Sequence, residues 1–245
     1  MSYRVAIIAA LEREVAPLVK GWRVLDDGVP AVYRKYAKGD TVVVCAGMGI
    51  RAARHSAEGV LYRYKPELLV SAGLAGALIR ELQIGQAIVP STIISAATGK
   101  RYVTGHGRGV LVTASGIVGL EAKRLLARQY SAELVDMEAA AVAEVAEDHG
   151  IAFTAVKAIS DEAEFDLPDM DPFVDPRGRF LTGKFASHVA LRPRLWGVVR
   201  KLAAHSARAS MELCTSLQNL IEEGKQEPGL TNGRSVFQGK ECRSR

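Results

Sequence analysis

Three carboxylates at separate points of the chain stand where proton chemistry is done. Glu12 follows the apolar run 4–10, Glu138 follows Val135-Asp136-Met137, and Asp161 follows the apolar run 153–159 and Ser160. Open α/β sheets hold their ligands in a crevice beyond the carboxyl ends of their strands, and these acids have that address. Burial in a partly dry crevice raises a carboxyl pKa, so such a group can give or take a proton near neutral pH. Glu138 and Asp161 belong to one strand–helix–strand unit and are expected to converge on a single crevice. The plainer account makes the first a helix cap and the second a turn acid. Pattern alone favours the plainer account.

The elements that must position these acids are legible from periodicity. A helix is predicted over 137–149, because Ala139, Val142, Ala143, Val145 and Ala146 recur at helical spacing. Asp136 and Glu138 suit the positive end of its dipole, and Gly150 ends it as a C′ glycine does. A buried strand over 153–159 then delivers Ser160-Asp161. Upstream, residues 4–10 read as a strand, 10–15 lead into a helix ending near Gly21-Trp22, and Asp26-Asp27-Gly28 signals a turn. Runs 32–36 and 41–45 read as a hairpin. Gly47 and Gly49 precede a helix over 52–64, whose first amides form a candidate anion site with Arg51 or Arg54.

Strand 68–72 ends in Gly73-Leu74-Ala75-Gly76-Ala77. These small residues let a flat ring or sugar lie against backbone, or serve a tight turn. A long strand is predicted over 86–95, shorter ones over 101–104 and 110–114, and a helix with basic surface positions over 120–130. His106 reads as a solvent-exposed loop residue. After Asp161 the chain becomes acidic and proline-punctuated, which reads as a mobile flap whose Phe165 and Phe173 cover a ligand or pack on the domain. Its acids lack the spacing of a calcium loop, and no metal is expected. A helix over 178–190 is followed by another that starts at Pro193. The second carries Leu195, Val198, Val199, Leu202, Ala203, Met211, Leu213, Leu217 and Leu220 at helical spacing, for core, subunit or, with Trp196, lipid contact.

At 245 residues, 48% hydrophobic and 24% charged, the chain has the make-up of one sizeable α/β domain. The expected architecture is a single three-layer domain, with a mixed central sheet flanked by helices. Residues 1–190 form the domain, 191–223 a helical extension packed on it, and 224–245 a disordered tail. A net charge of +5, weighted toward the last third, argues against a nucleic-acid surface and allows peripheral contact with an anionic membrane. Three cysteines, Cys45, Cys214 and Cys242, without metal spacing, read as thiols in a reducing cytoplasm. No signal peptide or spanning helix is expected.

Five motifs together carry a resemblance. They are AALEREV (9–15), VSAGLAGAL (70–78), QIGQAIVPS (83–91), VDMEAAAV (135–142) and KAISDEAE (157–164). In this order they resemble the nucleoside phosphorylase/nucleosidase superfamily, especially its methylthioadenosine/S-adenosylhomocysteine nucleosidase branch, over about residues 4–190. RPRLWGVVRKLA at 192–203 is similar to the opening of the extension in hopanoid-associated phosphorylases, thought to remove adenine from adenosylhopane.

The resemblance implies cleavage of a purine N-glycosidic bond in a 5′-substituted adenosine, without a cofactor beyond phosphate as a candidate co-substrate. Asp161 would protonate the leaving base and Glu12 would orient or deprotonate water. Glu138 would bind the ribose hydroxyls and Met137 the sugar face. Ala75, Gly76, Ser160 and Lys157 would complete the substrate site, with Gly49, Arg51 and Leu74 at the water or phosphate position. The partner would be a small purine nucleoside, lipid-linked in the hopanoid branch, and the protein a homodimer or larger. The chain departs from the nucleosidase pattern at Leu74, at Lys157, at 114–118, which lacks an aromatic residue to stack on adenine, and at the short stretch 98–109. The last two departures favour a bulky apolar 5′ group.

Overall fold

The computed structural model describes residues 3–26 and 34–226, built on one mixed sheet. Strand β1 (Val5–Ala9), buried throughout, feeds helix α1 (Glu12–Val19). Strands β2 (Arg23–Val24), β3 (Lys35–Lys38) and β4 (Thr41–Cys45) follow, then helix α2 (Ile50–Tyr64). The long strand β5 (Leu68–Ala77) precedes β6 (Ala87–Ile88), β7 (Thr92–Ser95), β8 (Arg101–Val103) and β9 (Val110–Thr113). Helix α3 (Leu120–Tyr130), β10 (Leu134–Asp136), α4 (Ala139–Asp148) and β11 (Ala152–Asp161) complete the sheet region. A 3₁₀ turn (Asp171–Phe173), α5 (Thr182–Ala190) and α6 (Pro193–Gln226) end the described chain.

The strands run in the order β2-β3-β4-β1-β5-β10-β9-β7-β8, and β11 lies against β5 and β6. β5 is the pivot. One edge pairs in parallel with β1 from Leu68 to Ala72, then antiparallel with β10 at Gly76 and Ala77. The other edge pairs in parallel with β11 from Leu68 to Gly76, which meets Asp161 across a bulge. The change of partner between Ala72 and Gly76 opens a crevice at the carboxyl end of β1, as at the switch points of open α/β sheets.

The expected single three-layer α/β domain with a mixed, helix-flanked sheet is the fold observed. Several boundaries differ. The run 73–77 is strand, because β10 and β11 pair both edges of a backbone stripped of bulk. The expected strand 86–95 is two strands, broken around Pro90, which lacks an N–H for a ladder. Helix α4 begins at Ala139, since Asp136 caps it from outside. Helix α5 begins at Thr182 instead of 178. The first strand of the 32–36/41–45 hairpin is seen as Lys35–Lys38; residues 32 and 33 and most of the 26–28 turn lie outside the described residues.

Helix α6 is less an appendage than a wall of the molecule. Its Ala209, Leu213, Cys214, Leu217 and Ile221 join Val5, Ile7, Val15 and Leu18 in one core cluster. The helix runs to Gln226, beyond the expected tail start at 224, and residues 227–245 lie outside the described residues. Among the described residues, no helix is long and apolar enough to cross a membrane. Cys45 and Cys214 are buried free thiols, and Cys242 lies outside the described residues.

Candidate active site

The crevice beside β5 is a cavity of about 740 Å³. Glu14, Leu74, Ala75, Gly76, Met137, Glu138, Ser160 and Asp161 all line it, so residues from four separate segments meet. Glu138 stands just before α4, where its Oε1 accepts the Gly49 amide at 2.7 Å and its Oε2 the Met137 amide at 3.3 Å. Asp136 does the capping: Oδ2 accepts the Ala139 amide at 2.9 Å and Oδ1 the Thr113 hydroxyl at 2.7 Å. The helix start is thereby satisfied by a neighbour, and Glu138 is left to face the cavity.

Asp161 ends β11. Its Oδ1 accepts the Ser160 hydroxyl at 2.8 Å and its Oδ2 accepts Lys123 Nζ. Lys123 is 1% exposed and also donates to the Glu162 carbonyl at 2.8 Å. It comes from α3, where basic surface positions were expected. Its face of the helix continues through Leu126, Ala127 and Tyr130, which pack on a core cluster, so the spacing held the signal. Gly76 makes this approach feasible, since a Cβ there would stand 2.8 Å from Asp161 Oδ2.

The acid supplied by α1 is Glu14, and the assignment to Glu12 is corrected. Glu12 is turned outward, accepting Tyr36 Oη at 2.5 Å and Arg34 Nη1 at 3.3 Å, and it does not line the cavity. Glu14 shares the inner face of α1 with Val15 and Leu18, all buried. Its Oε2 accepts the Leu11 amide at 3.4 Å and would lie 3.3 Å from a Cβ placed on Gly73. The i, i+4 relation to Leu18 is the sequence signal that distinguishes it.

Lys157 does not line the cavity either. Fully buried beneath it, Nζ donates to Asp136 at 2.8 Å and Ser71 Oγ at 3.1 Å. Its charge opposes three nearby acids, Asp136, Glu138 and Glu14. Burial pushes Glu14 from 4.5 up to about 7, against the pull of Lys157. Burial and then Asp136 push Glu138 up to about 7 as well. Burial alone would lower Lys157, but Asp136, Glu138 and Glu14 outweigh it and raise it. One buried cation thus lies beside two glutamates, Glu14 and Glu138, whose carboxyls are both raised to about 7.

The other expected residues separate. Gly49 and Arg51 line a neighbouring cavity of about 1070 Å³, which shares Met48, Gly116 and Met137 with the first. The Gly49 amide, expected to bind an anion, is taken by Glu138, and Arg54 pairs with Glu144. Phe173 is buried against Phe185 and His188, so the post-Asp161 loop meets the cavity through Leu167, Met170 and Phe180 instead. That loop is tethered: the Met48 amide donates to the Gly178 carbonyl at 2.7 Å, and Gly178 has φ +79°. His106 is half-buried rather than solvent-exposed, its Nε2 2.9 Å from Thr154 Oγ1.

Known proteins resemble this chain in sequence and fold. The phosphorylase superfamily model matches residues 4–109 and 96–181. The 5′-methylthioadenosine/S-adenosylhomocysteine nucleosidase of Shewanella halifaxensis is 24% identical over 215 residues, covering 71% of this chain and 94% of the relative. That of Shewanella oneidensis is 23% identical, covering 71% and 91%. Among solved structures, the Helicobacter pylori 5′-methylthioadenosine/S-adenosylhomocysteine nucleosidase with butyl-thio-DADMe-Immucillin-A superposes with a TM-score of 0.66 at 15% identity, covering 91% of this chain and 99% of that one. Helicobacter pylori futalosine hydrolase gives 0.67 at 15% identity, again covering 91% and 99%. The chain is an enzyme of the N-glycosyl hydrolase or pentosyltransferase kind and belongs to the phosphorylase superfamily.

Proposed function

We propose that the protein hydrolyses the N-glycosidic bond of adenosine derivatives substituted at the 5′ position, releasing adenine. The observation that carries the reading is the meeting of Glu14, Glu138 and Asp161 around one cavity, with Glu14 and Glu138 held near neutrality. Departure of the base leaves positive charge on the sugar, which buried carboxylates stabilise. Asp161 faces the leaving purine and passes it a proton. Glu138 accepts the ribose hydroxyls and Met137 packs on the sugar. Glu14 takes a proton from the attacking water. Leu74, Ala75, Gly76 and Ser160 form the surface on which the nucleoside rests. Each proton transfer is worth roughly 10²–10⁴-fold.

Charge favours water over phosphate as the nucleophile. A phosphate dianion would enter beside Glu14 and Glu138, while Arg51 and Arg54 line the other cavity. Arg13, which does line the site, lies over the Phe180 ring at 5.2 Å.

The activity of the nucleosidase relatives supports methylthioadenosine and S-adenosylhomocysteine as substrates. A second reading, adenosylhopane or another lipid-linked nucleoside, is favoured by the cavity wall. Val199, Leu202, Ala203 and Met211 of α6 line it together with Leu167, Met170, Phe180 and Phe185. Leu191 and Trp196 stand 81% and 56% exposed near Arg192 and Arg194, which supports contact of that corner with an anionic membrane. A panel of methylthioadenosine, S-adenosylhomocysteine, adenosylhopane and inosine, with and without phosphate and scored for free base, tests the proposal. Adenine from the 5′-substituted adenosines without phosphate is expected. Base release only from inosine, or only with phosphate, would contradict it.

A further inference from the structure

The Asp161 carboxylate is met on both sides by donors: the Ser160 hydroxyl at Oδ1, 2.8 Å away, and the Lys123 ammonium at Oδ2. Asp161 therefore sits in the site as one half of a desolvated ion pair, its partner 1% exposed and inserted from a different element. The pairing joins a proton-bearing ammonium directly to the carboxyl group proposed to face the purine. Here Lys123 is itself among the residues lining the cavity, with a second bond to the Glu162 carbonyl at 2.8 Å that aims the ammonium at Oδ2.

We infer that the proton delivered to the departing base is stored on Lys123 and relayed through Asp161. The inference rests on the proposed role of Asp161 as the group facing the purine. As the bond between C1′ and N9 breaks, its electron pair passes to the purine. N7 takes a proton through Asp161, which receives one from the Lys123 ammonium in the same step. Water adds to C1′, its second proton going to Glu14. After adenine leaves, Glu14 releases its proton to solvent and neutral Lys123 takes one up, which closes the balance as nucleoside plus water to adenine plus free sugar. Lys123 touches no reacting atom and is a positioning residue in this scheme. Other charged groups facing the pair are Glu14, Glu138, Asp136 and Arg13 around the cavity, and Glu162, whose side chain is held by Lys201 of α6 at 3.2 Å.

A leaving group that needs no proton separates this role from simple packing. The substrate is methylthioadenosine, or adenosylhopane if the panel selects it, alongside the same nucleoside methylated at N7, whose base departs without protonation. Lys123→Met is expected to lower kcat/KM on the ordinary nucleoside by about 10²-fold or more and on the N7-methylated one by less than about fivefold. Lys123→Arg, which keeps the charge but holds its proton too tightly to pass it on, is expected to stay within about fivefold of Lys123→Met on the ordinary nucleoside. If Lys123→Met does not melt cooperatively, Lys123→Gln carries the same comparison. Equal losses on both nucleosides in a folded variant, or no loss on either while Asp161→Asn is inactive, would overturn the relay and leave Asp161's role standing. Full activity of Asp161→Asn would instead overturn the underlying reading.

Discussion

Two glutamates with a single residue between them illustrate what burial does to an acid. Glu12 sits at the first position of α1 with Tyr36 and Arg34, whereas Glu14 is buried against Gly73 and Lys157. Glu14→Gln is expected to reduce kcat/KM by about 10²–10⁴-fold, and Glu12→Gln by less than about threefold, in steady-state adenine release. The buried carboxyl also links stability to pH. Folded Glu14 keeps its proton up to about 7, while its unfolded counterpart loses it near 4.5. Between these values the folded state binds more protons, so stability falls as pH rises through the window. Glu14→Gln removes that loss: melting should change little at pH 4.5 but rise by several degrees at pH 8, on the order of 1–3 kcal/mol. An unchanged difference across pH would refute the assignment of burial as the cause. The reading of acids past strand ends expected Glu12, whereas the glutamate that lines the cavity is Glu14, because the reading weighed position along the chain and not the helical face shared with Leu18.

At the scale of elements, β5 and β11 do the positioning. Their parallel pairing continues to Gly76 and Asp161, so the acid is carried by a strand with a neighbour along its length. The apolar cores of both strands were legible from composition. The last residues of β5 were not, since a Gly/Ala run looks the same in a turn and in a strand held at both edges. Lys123 was overlooked for a related reason: a helix of mixed charge is expected to face water, although the spacing of Lys123 with Leu126, Ala127 and Tyr130 marked an inward face. Gly76→Ala places a methyl 2.8 Å from Asp161 Oδ2 in a backbone that both neighbours hold. The carboxyl must shift, and a displacement near an ångström costs about 10²-fold in rate. The prediction is a fall of that size in kcat/KM with a cooperative melt retained; wild-type turnover would show that the pairing does not set the position of Asp161.

For the whole molecule, α6 joins the core to the site. Its inner face supplies Ala209, Leu213 and Leu217 to the cluster around β1, and another face supplies Val199, Leu202 and Met211 to the cavity. The helical spacing of these residues was visible in the sequence, but whether they met core, partner or lipid depended on distant strands. Leu213→Ala should destabilise the protein by about 2–5 kcal/mol in denaturant unfolding, as a fully buried core truncation does. A surface-like change below about 0.5 kcal/mol would mean that α6 is dispensable. The central claim, that an acid cluster at the β5 switch point turns water on an adenosine N-glycosidic bond, has one direct measurement. A 5′-substituted adenosine is incubated in phosphate-free H₂¹⁸O with wild-type protein and with Glu14→Gln, and adenine and the released sugar are analysed by mass. The account predicts adenine in equal amount to a sugar carrying ¹⁸O at C1 from the wild type, and almost none from Glu14→Gln. Adenine release that persists in Glu14→Gln, or that needs phosphate and leaves the sugar phosphorylated, would contradict it.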